Sequence, residues 1–177
     1  MILRSGTIAL LLLACGLVLR AAPCDMDPGA AAQRVFARVD AQHAWTEYKS
    51  IESVPSLSLE GGISAQIWPE PKGALLVRTV EPGEDFWSYT QSCFSKSSYL
   101  VYVKFELRTA WGWYYRAEGP IVMGRFHRST EQYYDSKTGQ AMLVRPQQAD
   151  DVPSMMIPRL WMRTGLLPFA ELLQKRP

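Results

Sequence analysis

Two histidines are the side chains of this 177-residue sequence best suited to acid-base or metal chemistry. His43 and His127 are far apart in the chain, and neither belongs to the set of several ligands that a zinc or iron site requires. His127 lies between Arg125 and Arg128, whose charges oppose protonation of the ring. We therefore expect a surface histidine rather than a catalytic base, and no metal.

Two pairs of adjacent carboxylates are the other candidates for acid-base chemistry. Glu84-Asp85 and Asp150-Asp151 each lie near a proline in a predicted loop, where acidic residues commonly stabilise turns in contact with solvent. The sequence also contains no G-x-S-x-G elbow, glycine-rich phosphate loop or C-x-x-C motif. It predicts no catalytic residue and no cofactor, and it favours a non-catalytic function over an enzyme.

The first 21 residues have the order of a secretory signal. Arg4 is followed by an apolar run over residues 7–19 and by small residues at Ala21 and Ala22. The run is short for a membrane-spanning helix, so a cleaved signal is favoured over a retained anchor. We expect a signal peptide at residues 1–21, one domain at residues 22–177, and a location that is periplasmic or secreted.

The three cysteines fit export. Cys15 lies in the segment "LLAC", which resembles the acylation box of bacterial lipoproteins, so a form anchored by lipid on Cys15 is the alternative to simple cleavage. Cys24 and Cys93 remain after cleavage, and two thiols in an oxidising compartment commonly pair. A cut after Cys24 would leave Cys93 alone, so the predicted disulfide depends on the cleavage site.

The charge balance argues against nucleic acid as the partner. Loss of Arg4 and Arg20 with the signal reduces the 19 basic residues to 17, the same number as the acidic residues. A neutral domain gains little from release of counterions at phosphates.

The order of apolar residues predicts an α+β domain. Asp27 and Pro28 begin a predicted amphipathic helix that continues to about Tyr48, and short apolar runs broken by glycine and proline follow it. The chain then ends in a predicted helical segment that Gly165 and Pro168 interrupt. The strands are predicted in "GGISAQIW", "ALLVRTV", "FWSYTQSCF", "YLVYVKFEL", "WGWYYRAEG", "IVMGRFHRSTEQYY" and "AMLVRP". The expected architecture is a curved antiparallel sheet of six or seven strands with an N-terminal helix and a C-terminal helical segment.

The aromatic residues are the predicted ligand contacts. Trp113 and Tyr115 alternate with polar residues, as does Phe105 on the preceding strand, so these rings share one face of a hairpin. A solid core explains any single ring, whereas six tryptophans in one chain of this size favour an enclosed apolar space. The predicted ligand-binding residues are Trp68, Trp87, Phe105, Trp111, Trp113, Tyr115, Leu160 and Trp161.

Two segments carry a resemblance to lipid-binding families. "HAWTEYKSIESV" and "VPSMMIPRLWMRTGLLPFAELL" resemble the two ends of START-like helix-grip domains, which implies a terminal helix over a cavity. "GGISAQIWPEPKGALLVRTVEPGED", after the predicted helix, is similar to periplasmic lipoprotein carriers of the LolA type, which implies a half-barrel that holds acyl chains. Both resemblances imply a concave sheet with an apolar interior.

Three functions follow from these patterns. The first is an exported, non-catalytic protein that binds a lipid or other apolar small molecule between the sheet and the C-terminal helix. The alternative is a cell-envelope interaction module, such as an inhibitor, immunity factor or assembly subunit, that docks on a protein through an aromatic face. An enzyme of the cyclase or hydrolase kind on the same fold is the third.

Overall fold

β-Strands make up most of the regular structure in the computed structural model, which describes residues 31–69, 74–151 and 156–175. The strands are β1 (Arg34–Arg38), β2 (Thr46–Tyr48), β3 (Ile63–Pro69), β4 (Leu75–Pro82), β5 (Phe86–Phe94), β6 (Leu100–Thr109), β7 (Trp113–Val122), β8 (Arg125–Phe126) and β9 (Thr130–Asp135). The helical elements are short: 3₁₀ turns at Ile51–Ser53 and Thr164–Leu166, α1 (Gln148–Asp151) and α2 (Ala170–Gln174). Within these ranges, no helix has the length and hydropathy needed to cross a bilayer.

All the strands belong to one antiparallel sheet. Its order is β2-β1-β3-β4-β5-β6-β7, and β8 and β9 both pair with the outer edge of β7. From β3 to β7 each strand pairs with the next one in sequence, which makes this part a meander. The predicted antiparallel sheet is therefore confirmed, with nine described strands rather than six or seven.

The predicted N-terminal helix is wrong over the described residues. Val35, Phe36 and Ala37 are consecutive buried residues of β1, and the chain from Thr46 to Tyr48 is β2. Because consecutive side chains of β1 point to opposite faces of the sheet and all three are buried, both faces of β1 are covered. Its apolar run therefore lacks the alternation that would distinguish a strand from a helix. The predicted start of the helix, at Asp27 and Pro28, lies outside the described residues.

One face of the sheet packs against the C-terminal segment, residues 156–175, and is called here the packed face. Over β1 to β6 it forms a cluster in which the ring of Phe36 stacks on that of Phe169 with centroids 5.0 Å apart. Over β6 and β7 it forms a second cluster that includes Phe105, Tyr115 and Met156. The two clusters are the main core of the sheet.

The C-terminal segment is irregular apart from its 3₁₀ turn and the short α2, because Pro158, Gly165 and Pro168 interrupt helix formation. Its backbone instead joins the start of β6, where the amide of Leu100 donates to the carbonyl of Met162 at 3.0 Å. Arg34 of β1 holds the far end of the segment. Its guanidinium donates to the carbonyls of Leu172 and Leu173 at 2.7 and 3.0 Å and pairs with Glu47.

The last predicted strand, "AMLVRP", is not formed. Ala141 makes one isolated bridge with Tyr134, and Leu143 and Val144 are fully or largely exposed in the connection that follows. The residues "DSKTGQ", 135–140, form a turn at the end of β9. The Asp135 carboxylate accepts hydrogen bonds from the amides of Lys137 and Thr138 there, and these bonds lower its pKa.

Candidate functional site

The predicted ligand-binding residues are divided between the two faces of the sheet. Phe105, Trp113 and Tyr115 are buried together in the packed face, as their alternation predicts. Leu160 and Trp161 are half-buried against the other cluster of that face. In this part of the structure the rings contact one another and the C-terminal segment, so they act as packing residues.

The aromatic rings of the packed face contact one another closely, and the buried Nε1 of Trp113 has no hydrogen-bond partner among the described residues. The half-buried ring of Trp111 lies 6.0 Å from that of Trp113, which in turn lies 5.8 Å from Tyr133. The hydroxyl of Tyr115 donates to the Glu131 carboxylate at 2.9 Å. Burial first, and then this hydrogen bond, raise the pKa of Tyr115 well above its usual value. Tyr115 is a neutral hydrogen-bonded core residue at physiological pH.

The opposite face, called here the cavity face, holds the candidate site. A cavity of about 550 Å³ lies on it, within the usual size range of small-molecule pockets. Of the predicted ligand-binding residues, Trp68 lines this cavity from the cavity face. Trp87 is on the same face but outside the cavity wall, with 44% of its surface exposed. The side chains that line it come from β3, β4, β5, β6, β7 and β9, so the sheet curves around the cavity.

Strand register brings polar side chains into rows across the cavity face. In one row Arg78 is opposite Gln91, Gln91 is opposite Lys104, and Lys104 is opposite Glu118. Directly opposed residues on one face are in side-chain contact range, so charges distant in sequence become neighbours. The next row runs Tyr89, Glu106, Arg116 and Gln132, and the one after it Trp87, Arg108, Tyr114 and Tyr134.

Arginine and tyrosine side chains stack on one another along these rows. The guanidinium carbons of Arg78 and Arg108 lie 5.2 and 5.4 Å from the ring centre of Tyr89. Arg116 lies 5.0 Å from the ring of Tyr114, which is itself stacked on Tyr134 at 4.8 Å. Stacking on a ring holds a guanidinium flat and leaves its edge N–H groups free to donate.

Glu106 is the carboxylate at the centre of the arginines. Its two oxygens accept from Arg108 Nε at 2.5 Å and from Arg116 Nε at 2.6 Å. Burial by itself would raise the pKa of Glu106, but the hydrogen bonds from both arginines outweigh burial and lower it. At neutral pH this group is ionised and occupied by its partners, which makes it a poor general base.

Arg78 differs from the other arginines of the cavity. It is half-buried, and within the described part of the chain no carboxylate lies at ion-pair distance from it. Its neighbour two residues earlier on the same face of β4 is Leu76, which pairs across strands with Trp68. The cavity thus has an apolar end at Trp68 and Leu76 directly beside a cationic group.

Arg78, Tyr89, Arg108 and Arg116 are not among the ligand-binding residues predicted from the sequence. A signal for Arg108 and Arg116 was present, because charged residues and tyrosines recur at every second position on β6 and β7. Such a pattern ordinarily marks a solvent-exposed strand face. The curvature that turns that face into a cavity comes from the pairing of six strands, which no local pattern contains.

The candidates for acid-base chemistry lie elsewhere. His43 is exposed and bonded through Nδ1 to Asp40 at 2.6 Å, and His127 is exposed beside β8. Glu84 and Asp85 are exposed in the turn between β4 and β5, as predicted for turn residues. Asp150 pairs with Arg145 at 3.1 Å. Among the described residues, no three histidine, cysteine or acidic side chains are grouped as a metal site would require.

Several predicted features lie outside the described residues. These are the signal peptide at residues 1–21, the acylation site at Cys15, and Cys24. Cys93 is described and is 1% exposed, in a small cluster with Trp68 and Leu76. Its pairing with Cys24 stays a prediction.

Comparison of the chain with protein-family models, with curated proteins and with solved structures found no match. The resemblances to START-like domains and to LolA-type carriers therefore stay predictions.

Proposed function

We propose that this chain is an exported, non-catalytic binding protein whose ligand is a small amphipathic anion held on the cavity face. The observation that carries the proposal is the combination of Arg78 with the apolar end at Trp68 and Leu76 in one cavity of about 550 Å³. A carboxylate or phosphate at Arg78 and an apolar chain or ring at the other two residues would match this arrangement.

The charges at the wall of the cavity support an anionic ligand. Four cationic side chains and three carboxylates line it. Glu106 is shared by Arg108 and Arg116, whose guanidinium groups also stack on tyrosine rings and are therefore fixed in position. Fixed donors lose little conformational entropy when a ligand binds, so they add to affinity.

The proposed ligand is lipid-like, as expected from the sequence. Its proposed site, however, is on the cavity face and not between the sheet and the C-terminal segment. A fatty acid anion or a lipid phosphate is both apolar and anionic, which suits the cavity face. On the packed face, Phe36, Phe169 and Leu167 fill the space between the sheet and the C-terminal segment with contacts of their own. On the cavity face, a space of about 550 Å³ between the side chains of six strands has the size of a small ligand.

The test is a calorimetric titration of the purified protein with three ligands: decanoate, decyl phosphate and neutral decanol. We expect saturable binding of at least one of the two anions, about tenfold or more tighter than decanol, because a hydrogen bond to a charged group contributes about 1.5–3 kcal/mol. Arg78→Gln should remove that preference. Arg159→Gln is the matched control, because Arg159 is exposed and pairs with Glu81 away from the cavity.

Two results would contradict the proposal. One is equal affinity for decanol and for the anions, which would show that the cationic groups take no part. The other is an equal loss of binding in Arg78→Gln and Arg159→Gln, with both variants folded by circular dichroism.

A second candidate is the cell-envelope interaction module. The observation that favours it is the exposure of Leu143 (102%) and Val144 (76%), two adjacent apolar residues in the connection between β9 and α1. Single exposed apolar residues are common, so it is the adjacency of these two that favours a contact with a partner. Loss of a co-purifying envelope protein in Leu143→Asn, with ligand titration unchanged, would support this candidate.

A further inference from the structure

The hairpin between β7 and β8 ends in an apolar tip. Val122 pairs with Arg125, so Met123 and Gly124 form a two-residue turn, with φ angles of 50° and 73°. Turns of this kind require the left-handed region at both positions and favour asparagine and glycine there. Met123 adopts this conformation with 97% of its surface exposed, and Val122 is 49% exposed. Met123 thus has a backbone conformation that is unfavourable for a residue other than glycine, and its exposed side chain contributes nothing to the core.

A third exposed apolar residue lies beside the tip. Ile157, at the start of the described C-terminal segment, is 66% exposed and lines an open cavity together with Gly124 and Arg125. The three apolar residues Val122, Met123 and Ile157, with the cationic residues Arg125 and Arg128, are called here the tip patch.

The charge of the tip patch is positive. Arg125 is exposed, and no carboxylate of the described residues lies at ion-pair distance from it. Arg128 is also exposed, and it pairs with Glu131 at 3.4 Å and donates to the carbonyl of Met156. A partner surface that complements this patch would therefore have anionic groups beside an apolar region into which the exposed side chains could insert.

The tip is held firmly to the sheet. Beyond β8 the amide of His127 donates to the carbonyl of Pro120, and that of Ser129 donates to the carbonyl of Glu118. Gly119 makes this close approach possible, because a Cβ there would lie 1.9 Å from the carbonyl oxygen of His127. The exposed residues are thus presented on a fixed hairpin rather than on a loose loop.

We propose that the tip patch docks on the surface of an anionic lipid bilayer. Val122 and Met123 would enter the interface between headgroups and acyl chains, while Arg125 and Arg128 contact lipid phosphates. A protein partner fits less well, because a stable protein interface buries about 1,200–2,000 Å² and a hairpin tip with two apolar side chains presents far less. This proposal uses residues outside the ligand-binding cavity and does not depend on the proposed function.

The experiment is sedimentation of the full-length protein, as purified from its host, with vesicles of phosphatidylglycerol and phosphatidylcholine and with vesicles of phosphatidylcholine alone. We expect binding to the anionic vesicles, reduced by added salt. Arg125→Gln should weaken it about fivefold, as expected for one cation near the membrane surface. Met123→Asn should weaken it severalfold while favouring the turn, so a loss cannot be attributed to unfolding.

Leu59→Asn is the control, because Leu59 is 57% exposed and lies just before β3, whose start is in register with the part of β7 that is remote from the tip. Any contribution of residues 1–30 cancels, since every variant carries the same N-terminus. The proposal is overturned if vesicles of phosphatidylcholine bind as well as anionic vesicles, or if Met123→Asn and Arg125→Gln bind as the unaltered protein does. Absence of vesicle binding would overturn it too and would favour a protein at the tip. None of these outcomes bears on the titration with decanoate.

Discussion

Glu106 accepts hydrogen bonds from Arg108 on its own strand and from Arg116 on β7, and the three groups form the charged centre of the cavity face. Removal of one member of such a group leaves the others with charges that are poorly solvated, which costs more than the intact group contributes as a whole. At the scale of single residues, the cavity face is therefore polar but firmly organised, and the positions of its donors are set before any ligand binds.

The shifted pKa of Glu106 predicts how stability depends on pH. The folded chain lowers this pKa, so the stabilisation is present above the unfolded-state value of about 4.3 and is lost as the pH falls through the lower folded-state value. Glu106→Gln should be less stable at neutral pH by about 1–3 kcal/mol and should lose less stability on acidification than the unaltered protein. Urea unfolding across the acid range measures both, with Glu60→Gln as a control for the loss of one exposed charge. Parallel pH profiles for the Glu106 variant and the unaltered protein would contradict the prediction.

At the scale of elements, β6 shows where alternation holds and where it fails. From Val103 to Leu107 every second side chain is buried, as predicted from "YLVYVKFEL". Nearer the start of the strand the register with β5 shifts between Cys93 and Phe94, so Leu100 is buried while Tyr99 is 47% exposed. One irregular pairing is enough to change which residues face the core.

The two faces of neighbouring strands predict unequal costs for removing a ring. Phe105 on β6 is 3% exposed in the packed face, and Trp87 on β5 lies on the cavity face with 44% exposed. Phe105→Ala should lower the free energy of unfolding by about 3–5 kcal/mol, as a buried aromatic truncation does. Trp87→Ala should cost about 1 kcal/mol or less, since half of its surface is already in water. Chemical denaturation compares them, and similar costs would show that the assignment of faces is incorrect.

At the scale of the whole molecule, one face of the sheet is covered by the C-terminal segment and the other face holds the cavity. The C-terminal segment covers the packed face and is held there by Leu100 at one end and Arg34 at the other. The cavity face has an apolar end where Cys93 lies next to Trp68 and Leu76. A disulfide from Cys93 to Cys24 would attach the N-terminal part of the chain at that end.

We expect Cys24 and Cys93 to be bonded to each other, as follows from the proposed export to an oxidising compartment. Closing a loop of this length contributes about 4 kcal/mol in the chain-entropy account, so reduction should lower the unfolding midpoint clearly. Intact mass after alkylation, with and without reductant, measures the bond, and the Cys93→Ser variant is the control for a single remaining thiol. Two alkylated cysteines in the unreduced, folded protein would disprove the pairing.

Much of the sheet was predictable from local order. The strands from Ile63 to Val122 follow alternating or short apolar runs separated by glycine, proline and acidic turns, and the pairing of neighbours in sequence gives the meander. β1 and the C-terminal segment were not predictable in this way. Burial on both faces removes the period from β1, and Pro158, Gly165 and Pro168 leave a tail whose path depends on partners such as Leu100 and Arg34.

By itself, the sequence determined which side chains of each central strand share a face, because side chains alternate regardless of what covers them. It did not determine which face would hold a cavity. Trp113 and Tyr115 were expected to line one, yet residues of the C-terminal segment such as Met156 fill the space beside them. Arg78, Tyr89, Glu106 and Arg116 come from four strands and meet only through register and curvature. Only the tertiary structure brings them together, since the distance between side chains on separate strands is a property of the whole sheet.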